Sequence, residues 1–329
     1  MSDKTEPERL LPEGHRVAPA DAATLPNPSP LTRSIPGAAG RLGMCVGRLA
    51  RGPGDPTHRR VGQGWWRASN TPCGPALLSL ADDGADVAAR AWGAGAEWAL
   101  EQLPRLLGCH DQLDFRPHHP LLKELLRRHP QLRVGATGLV CESLLPSVVE
   151  QKVTGAEAFR AIHRLTRCHA SVAPGPAGVA GHPASGMLLP LTADQWAAIP
   201  SWEYLLAGVE QKRSATLVAA ARRGRAVERT LTSADADAAL RSLPGIGPWT
   251  SARARQQAHG DPDAWSVGDY HVGRAISFAL CGEQLDDDGC AELLAPYAGQ
   301  RYRVELLLSL GGPRIERHGP RRSLPTHLP

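Results

Sequence analysis

Residues Arg241 to Thr250 read RSLPGIGPWT, two glycines two apart, hemmed in by leucine, isoleucine and two prolines. The preceding run SADADAALRS has the composition of a short helix with Ser233 as its N-cap. That helix stops where Pro244 disfavours the α region for Leu243. The following run PWTSARARQQAHG begins with Pro248, a residue suited to the first turn of a helix because its missing N–H would be unpaired there anyway. Two helices joined by a tight corner are predicted. Gly245 and Gly247 permit positive φ and remove side chains that would block close approach. The second helix then opens with its free N–H groups turned outward, an arrangement that suits phosphate. Thr250 adds a hydroxyl, and Arg253 and Arg255 add charge. The backbone carbonyls of Arg241, Leu243 and Ile246 are placed to hold a weakly bound monovalent cation at the same corner. A plain packing corner is the competing reading of the two glycines taken alone.

Further along lies DAWSVGDYHVGRAISFAL, in which Val272, Ala275, Ile276, Ala279 and Leu280 mark the buried stripe of another helix. Asp269, preceded by Gly268, stands just before it, where an aspartate commonly serves only as an N-cap.

Upstream the chain changes character. Residues 1–40 are rich in proline, alanine and polar side chains without period, and are predicted to be disordered. Between 41 and 115, the runs RLGMCVGRLA, GWWRAS, PALLSLA and DVAARAW are short and bounded by Gly, Pro, Asn and Asp, which predicts a small β-rich domain. Residues 116–312 are predicted to be helical. HPLLKELLRRHP, SLLPSVVEQKV and TGAEAFRAIHRL carry helix periodicity, and Thr154 with Glu157 makes a capping box. The Pro/Gly/Ala-rich stretch 169–186 reads as a linker or long loop between helices, and 313–329 as an extended basic tail with Arg314, Arg317, Arg321 and Arg322.

The net charge is +4, which permits a nucleic-acid partner without demanding one. The seven cysteines are an odd number with no Cys-x-x-Cys pair, arguing against a disulfide framework and against a zinc or iron–sulfur site. No apolar run is long enough to span a membrane and residues 1–30 lack a signal-peptide shape, so a cytoplasmic location and no membrane partner are expected. His110, His118 and His119 with Asp111 and Asp114 include metal-ligand residue types, but the proline-broken loop gives no ligand spacing. Asp286 to Asp288 reads as a helix cap rather than a calcium loop.

LPGIG between two helices resembles the helix-hairpin-helix motif. With Gly268-Asp269 beyond it, the chain resembles the helix-hairpin-helix/Gly-Pro/Asp (HhH-GPD) superfamily of DNA glycosylases, in its 3-methyladenine DNA glycosylase II (AlkA-like) branch. LLPSVVEQKVTGAEAF, WEYLLAGVEQKRSATL and PYAGQRYRVELLL resemble further segments of that family, so the likeness spans roughly residues 41–312. It implies an α+β fold, a mostly helical glycosylase core with a small β-rich N-terminal domain. It also implies a monomeric, cofactor-free enzyme acting on damaged double-stranded DNA. Asp269 would then be the catalytic carboxylate. Leu243, Gly245, Ile246, Gly247 and Thr250 would hold phosphate, and Gln151 and Lys152 would fill the space left by a flipped base. A single carboxylate suits the chemistry, because cleaving an N-glycosidic bond builds positive charge on the sugar.

The departures from that pattern sharpen the expectation. Trp249 occupies the position of the Schiff-base lysine of bifunctional relatives, so hydrolysis of alkylated purines without strand cleavage is expected. Lys152 replaces an apolar wedge and Arg253 a pocket tyrosine. The late-helix tryptophan that stacks on a cationic base falls at Leu307 or Leu308, leaving Trp249, Tyr270, Tyr297 and Trp202 as candidate replacements. A glycosylase for other damaged bases, or an inactive damage-binding protein, are the alternatives.

Overall fold

A computed structural model describes residues 29–313 of the chain. An antiparallel sheet of five strands holds the N-terminal part: β1 (Leu31–Ile35), β2 (His58–Val61), β3 (Gly64–Thr71), β4 (Gly74–Asp83) and β5 (Asp86–Trp92), in the spatial order β1-β5-β4-β3-β2. Tight turns join β2 to β3, β3 to β4 and β4 to β5, with Val61 opposite Gly64, Thr71 opposite Gly74 and Asp83 opposite Asp86. The first strand lies inside the segment expected to be disordered. Its backbone is held by pairing with β5, from Leu31 opposite Ala91 to Ile35 opposite Val87. RLGMCVGRLA, expected as a strand, is a helical turn at Leu42–Cys45 followed by a 3-10 turn at Gly47–Leu49. Its Leu42, Cys45 and Leu49 recur at helical spacing and pack on the sheet.

Alternation along β4 sorts the side chains onto two faces. Ala76, Leu78 and Leu80, with Val87, Ala89 and Ala91 of β5, meet Ala96, Ala99, Leu100 and Leu103 of the helices Ala96–Glu101 and Leu103–Leu106. Leu77, Ala68 and Trp66 face the other way, and the stretch predicted as a linker covers them. Ala173, Ala177 and Ala184 are buried there with Met187 and Leu189. Gly175, at φ +67, lets that segment lie on Trp92, since a Cβ there would come within 2.5 Å of the indole.

Two helical lobes follow. The first is built around the helix Val140–Val149, which is buried on every side except at Glu142 and therefore reads as apolar all round. Around it pack Ile162 and Leu165 of Gly155–His169, Leu217 of Gln211–Ala221, and Leu240, Leu243, Ile246 and Ala254 of the hairpin. The capping box of Thr154 and Glu157 is formed as predicted. The second lobe joins segments far apart in sequence. Leu122 and Leu125 of Pro120–Arg128 pack with Ile276 of Val272–Cys281, Leu294 of Asp287–Leu294, and Val304 and Leu307 of Arg301–Gly311. Asp286 caps the helix Asp287–Leu294, as predicted, by accepting from the Gly289 N–H. The architecture is α+β. The four arginines of the predicted tail lie outside the described residues. No helix among the described residues is long and apolar enough to cross a membrane.

Candidate active site

The hairpin joins helix Ala236–Arg241 to helix Pro248–Ala254. Asp235, not Ser233, caps the first helix, with its carboxylate accepting from the Ala238 N–H at 2.9 Å. Either side chain can cap, and the chain selects the one two residues closer to Leu240, which is buried in the core. Asp237 then ties the two helices together, accepting from the Ser251 hydroxyl at 2.7 Å and facing Arg255 at 3.2 Å.

Only one of the two glycines needs its freedom. Gly245 has φ +82, and a Cβ on it would meet Thr216 Oγ1 at 2.5 Å. Gly247 is extended at φ −90, and a Cβ on it would meet nothing within 4 Å, so its outer side is open. The predicted positive φ at Gly247 is absent because the chain enters the helix there from an ordinary extended cap. Leu243 and Ile246 turn their side chains into the core and leave their backbone at the corner. The Leu243 carbonyl accepts from the Ile246 N–H at 3.1 Å.

Gln151 and Thr250 do something other than expected. The Gln151 amide donates to the Gly245 carbonyl at 3.1 Å and to Thr250 Oγ1 at 2.8 Å. Thr250 is buried, so its hydroxyl braces the corner instead of facing a phosphate, and Gln151 is the other half of that brace. Lys152, next in the chain, is exposed and has φ +55, the only non-glycine residue in that region among those described. A bulky side chain held in this conformation is strained by about 1–3 kcal/mol, a cost that clusters at functional turns. It follows directly on the residue braced against the hairpin.

Trp249 and Asp269 meet. The half-buried Trp249 indole donates through Nε1 to Asp269 Oδ2 at 3.0 Å. The other oxygen, Oδ1, accepts from the backbone N–H groups of His271 at 2.9 Å and Val272 at 3.0 Å. Asp269 therefore caps the helix Val272–Cys281 and, with its second oxygen, faces the first turn of the hairpin helix. Its side chain is only partly buried, and Gly268 at φ +80 turns the chain immediately before it.

Of the other proposed aromatics, Tyr270 adjoins Asp269 in the chain, while Tyr297 and Trp202 lie on other elements. Tyr297 is buried against Phe115, with its hydroxyl accepting from the His119 N–H at 3.2 Å. Tyr270 is 54% exposed, with the Arg274 guanidinium 4.3 Å above its ring. Trp202 is 58% exposed beside Leu205 and Leu206 on the surface of the helix Ser201–Leu206. Period and composition cannot distinguish an aromatic that lines a site from one that fills a core. Among the metal-type residues, Asp111 is committed to a bidentate pair with the buried Arg303, at 2.6 and 2.8 Å. No cluster of three His, Cys, Asp or Glu suited to a metal occurs among the described residues.

A polar network behind Asp269 went unrecognised in the sequence. Arg253 lies one helical turn beyond Trp249, its side chain 28% exposed. One of its nitrogens donates to Gln256 Oε1 at 3.2 Å and another stands 3.7 Å from Glu150. Glu150 is also paired with Arg51 at 3.2 Å. Arg48 donates to the Tyr302 hydroxyl at 2.5 Å and to the Gly135 and Gln256 carbonyls. Glu305 accepts from both the backbone N–H and the hydroxyl of Ser266, each at 2.8 Å. Burial pushes the Glu305 carboxyl up to about 7, against the hydrogen bonds of Ser266 and the charge of Arg253, with the charge of Asp269 adding to the rise. Burial works to lower the Arg253 pKa, but Glu150, then Tyr302, Glu305 and Asp269, hold it above its ordinary value. The sequence signal was there in part, in Arg253 at the position of a pocket tyrosine. A cavity of about 780 Å³ lies elsewhere, at the β2 edge, lined by Arg59, Arg60, Arg167 and Trp65.

The arrangement is that of an α+β protein with a helix-hairpin-helix set against a carboxylate at a helix start. Solved DNA glycosylases have the same fold. A 3-methyladenine DNA glycosylase from Archaeoglobus fulgidus superposes with a TM-score of 0.62 at 16% identity, over 77% of this chain and 89% of that one. An 8-oxoguanine glycosylase/lyase from Clostridium acetobutylicum, solved with double-stranded DNA containing cytosine opposite 8-oxoguanine, superposes with a TM-score of 0.59 at 12% identity, over 80% and 89%. No protein-family profile and no curated protein matches the sequence.

Proposed function

We propose that this chain is a DNA glycosylase of base excision repair that hydrolyses the N-glycosidic bond of a damaged base and leaves an abasic site. The observation that carries this reading is the Asp269 carboxylate, anchored through Oδ1 and turned through Oδ2 toward the hairpin helix at Trp249. A negative charge held in place before the sugar reaches its transition state stabilises the oxocarbenium-like charge without reorganisation. It also orients the attacking water and takes its proton. The hairpin, braced by Gln151, would clamp the strand through backbone at Gly245 and Gly247, with Lys152 entering the duplex beside it. The DNA complex of the fold neighbour supports DNA as the partner.

Trp249 supports hydrolysis over lyase chemistry. An indole N–H cannot form a Schiff base, and here it is spent on Asp269. The expectation of a cationic alkylated purine as substrate keeps the support of the Archaeoglobus neighbour's fold and of Trp249 and Tyr270 next to Asp269, while Tyr297 is committed to the core and Trp202 stands on a separate surface helix. Product analysis tests the proposal. A labelled duplex carrying one lesion should give free base and an intact strand that breaks only on alkali treatment. Strand cleavage without alkali, blocked as a covalent adduct by borohydride, would overturn the hydrolytic assignment.

A further inference from the structure

We infer that the site beside Asp269 selects electrically neutral damaged purines bearing a carbonyl acceptor, and discriminates against cationic alkylated purines, through the Arg253 guanidinium. This rests on the glycosylase reading above and deepens it. Trp249 and Arg253 are four residues apart on the same helix and so share a face. The indole touches the catalytic carboxylate, and Arg253 lies behind it with its side chain still 28% exposed. A base whose sugar faces Asp269 therefore approaches the guanidinium.

The charge there is not cancelled. Glu150 is shared between Arg51 at 3.2 Å and Arg253 at 3.7 Å, so one carboxylate stands between two guanidiniums. The looser of the two pairs is the one with Arg253, beyond hydrogen-bond distance. Arg48, which donates to Tyr302 and to backbone carbonyls, adds a further positive charge. Glu305 stands close enough to feel both Arg253 and Asp269, yet both its oxygens are taken by Ser266. An arginine with donors to spare pairs with the carbonyl oxygen of a neutral purine, and with N7 where that nitrogen carries no hydrogen, but not with a ring that already carries positive charge.

The same charge assists the chemistry of a neutral base. The C1′–N9 bond breaks with its electron pair going to the purine, and water oxygen bonds to C1′ while its proton passes to Asp269 and on to solvent. The departing base bears the negative charge, which Arg253 stabilises until solvent protonates it. A cationic alkylpurine leaves as a neutral molecule and gains nothing from that contact.

The test is single-turnover base release from matched duplexes containing hypoxanthine, 8-oxoguanine, 7-methylguanine or 3-methyladenine, by the wild type, Arg253→Gln, Arg253→Lys and Asp269→Asn. The wild type should release at least one neutral carbonyl purine faster than either methylpurine. Arg253→Gln should slow that release by about 10- to 100-fold and speed methylpurine release, while Arg253→Lys keeps part of the preference. Faster release of methylpurines by the wild type, or an equal loss on all duplexes in Arg253→Gln, would overturn the inference. The second outcome is what a phosphate contact or a folding defect would give. Affinity for duplexes with uncleavable 2′-fluoro nucleosides of hypoxanthine and 7-methylguanine separates the two levels of the argument. If no duplex releases a base but the hypoxanthine preference is present and lost in Arg253→Gln, the enzymatic reading fails and the charge selection stands. If there is neither release nor preference, both fall.

Discussion

Replacing Asp269 with asparagine separates the two roles that its two oxygens suggest. Asparagine keeps one oxygen for the His271 and Val272 N–H groups, and the two residues cap helices about equally well, so the helix start is preserved. Its NH2 then faces the Trp249 N–H, donor against donor, and one hydrogen bond is lost. An unsatisfied donor costs about 1–3 kcal/mol when buried, and the indole is half-buried, so the low end applies. At this chain length about 1 kcal/mol lowers Tm by roughly 2 °C. The charge is a larger matter. Removing a fixed group that faces charge developing in the transition state costs about 2.7–4 kcal/mol, a factor of about 10²–10³ in rate. Asp269→Asn should therefore melt within a few degrees of the wild type while single-turnover base release falls about 100-fold or more. Asp269→Ala loses the cap as well, about 0.5–2 kcal/mol, with the same kinetic defect. Circular-dichroism melts and base release under enzyme excess measure both quantities. If Asp269 only caps a helix, the pattern inverts: asparagine is silent, alanine destabilises, and rate follows the folded fraction. Release by Asp269→Asn within about threefold of the wild type, less than 1 kcal/mol of barrier, would refute the catalytic assignment.

The hairpin glycines should part company. Gly245→Ala forces a left-handed backbone, about 1–2 kcal/mol, and drives a methyl onto Thr216, so it should lower both Tm and duplex affinity. Gly247→Ala should leave Tm unchanged, so that any loss of affinity in a gel-shift titration reports contact with DNA at its open face. Gln151→Ala should loosen the corner, costing about 1 kcal/mol from the stranded Thr250 hydroxyl, and should weaken binding to undamaged and damaged duplexes alike. Glu305 gives a pH signature. Its carboxyl is raised from 4.5 to about 7, so the folded protein holds a proton there that the unfolded chain releases from about pH 4.5 upward. Its contribution thus becomes destabilising as pH rises from 4.5 to 7 and is constant above. Glu305→Gln should raise Tm relative to the wild type above pH 7, with the difference vanishing near pH 4.5; melts across that range check it.

The hairpin was legible because its cause is local. LPGIGP dictates a corner whatever the rest of the chain does, and both flanking helices, the capping box at Thr154 and the cap at Asp286 follow from neighbours a few residues apart. Three of the four strand predictions held for the same reason, since alternation and turn residues are read within one hairpin. Where a partner was distant, the sequence misled. β1 is a strand because β5 offers it an edge, and the loop 169–186 lies where Trp66, Leu77 and Ala68 need a cover. Neither fact has a local signature.

The site divides along the same line. Asp269 and the hairpin were visible as motifs, and so was the absence of a lysine at Trp249. That the indole binds the carboxylate, that Gln151 braces the corner, and that Tyr297 fills a core are outcomes of packing between elements far apart in the chain. The charge beside Asp269 is the clearest case. Arg48 and Arg51 come from the β-rich part, Glu150 from the end of the central helix, Arg253 from the hairpin helix and Glu305 from the last helix. Arg253 apart, residue types alone gave none of them a place in the site. Only the fold brings their charges within reach of one another, and charge at short range acts strongly in a medium poorer in water than the surface.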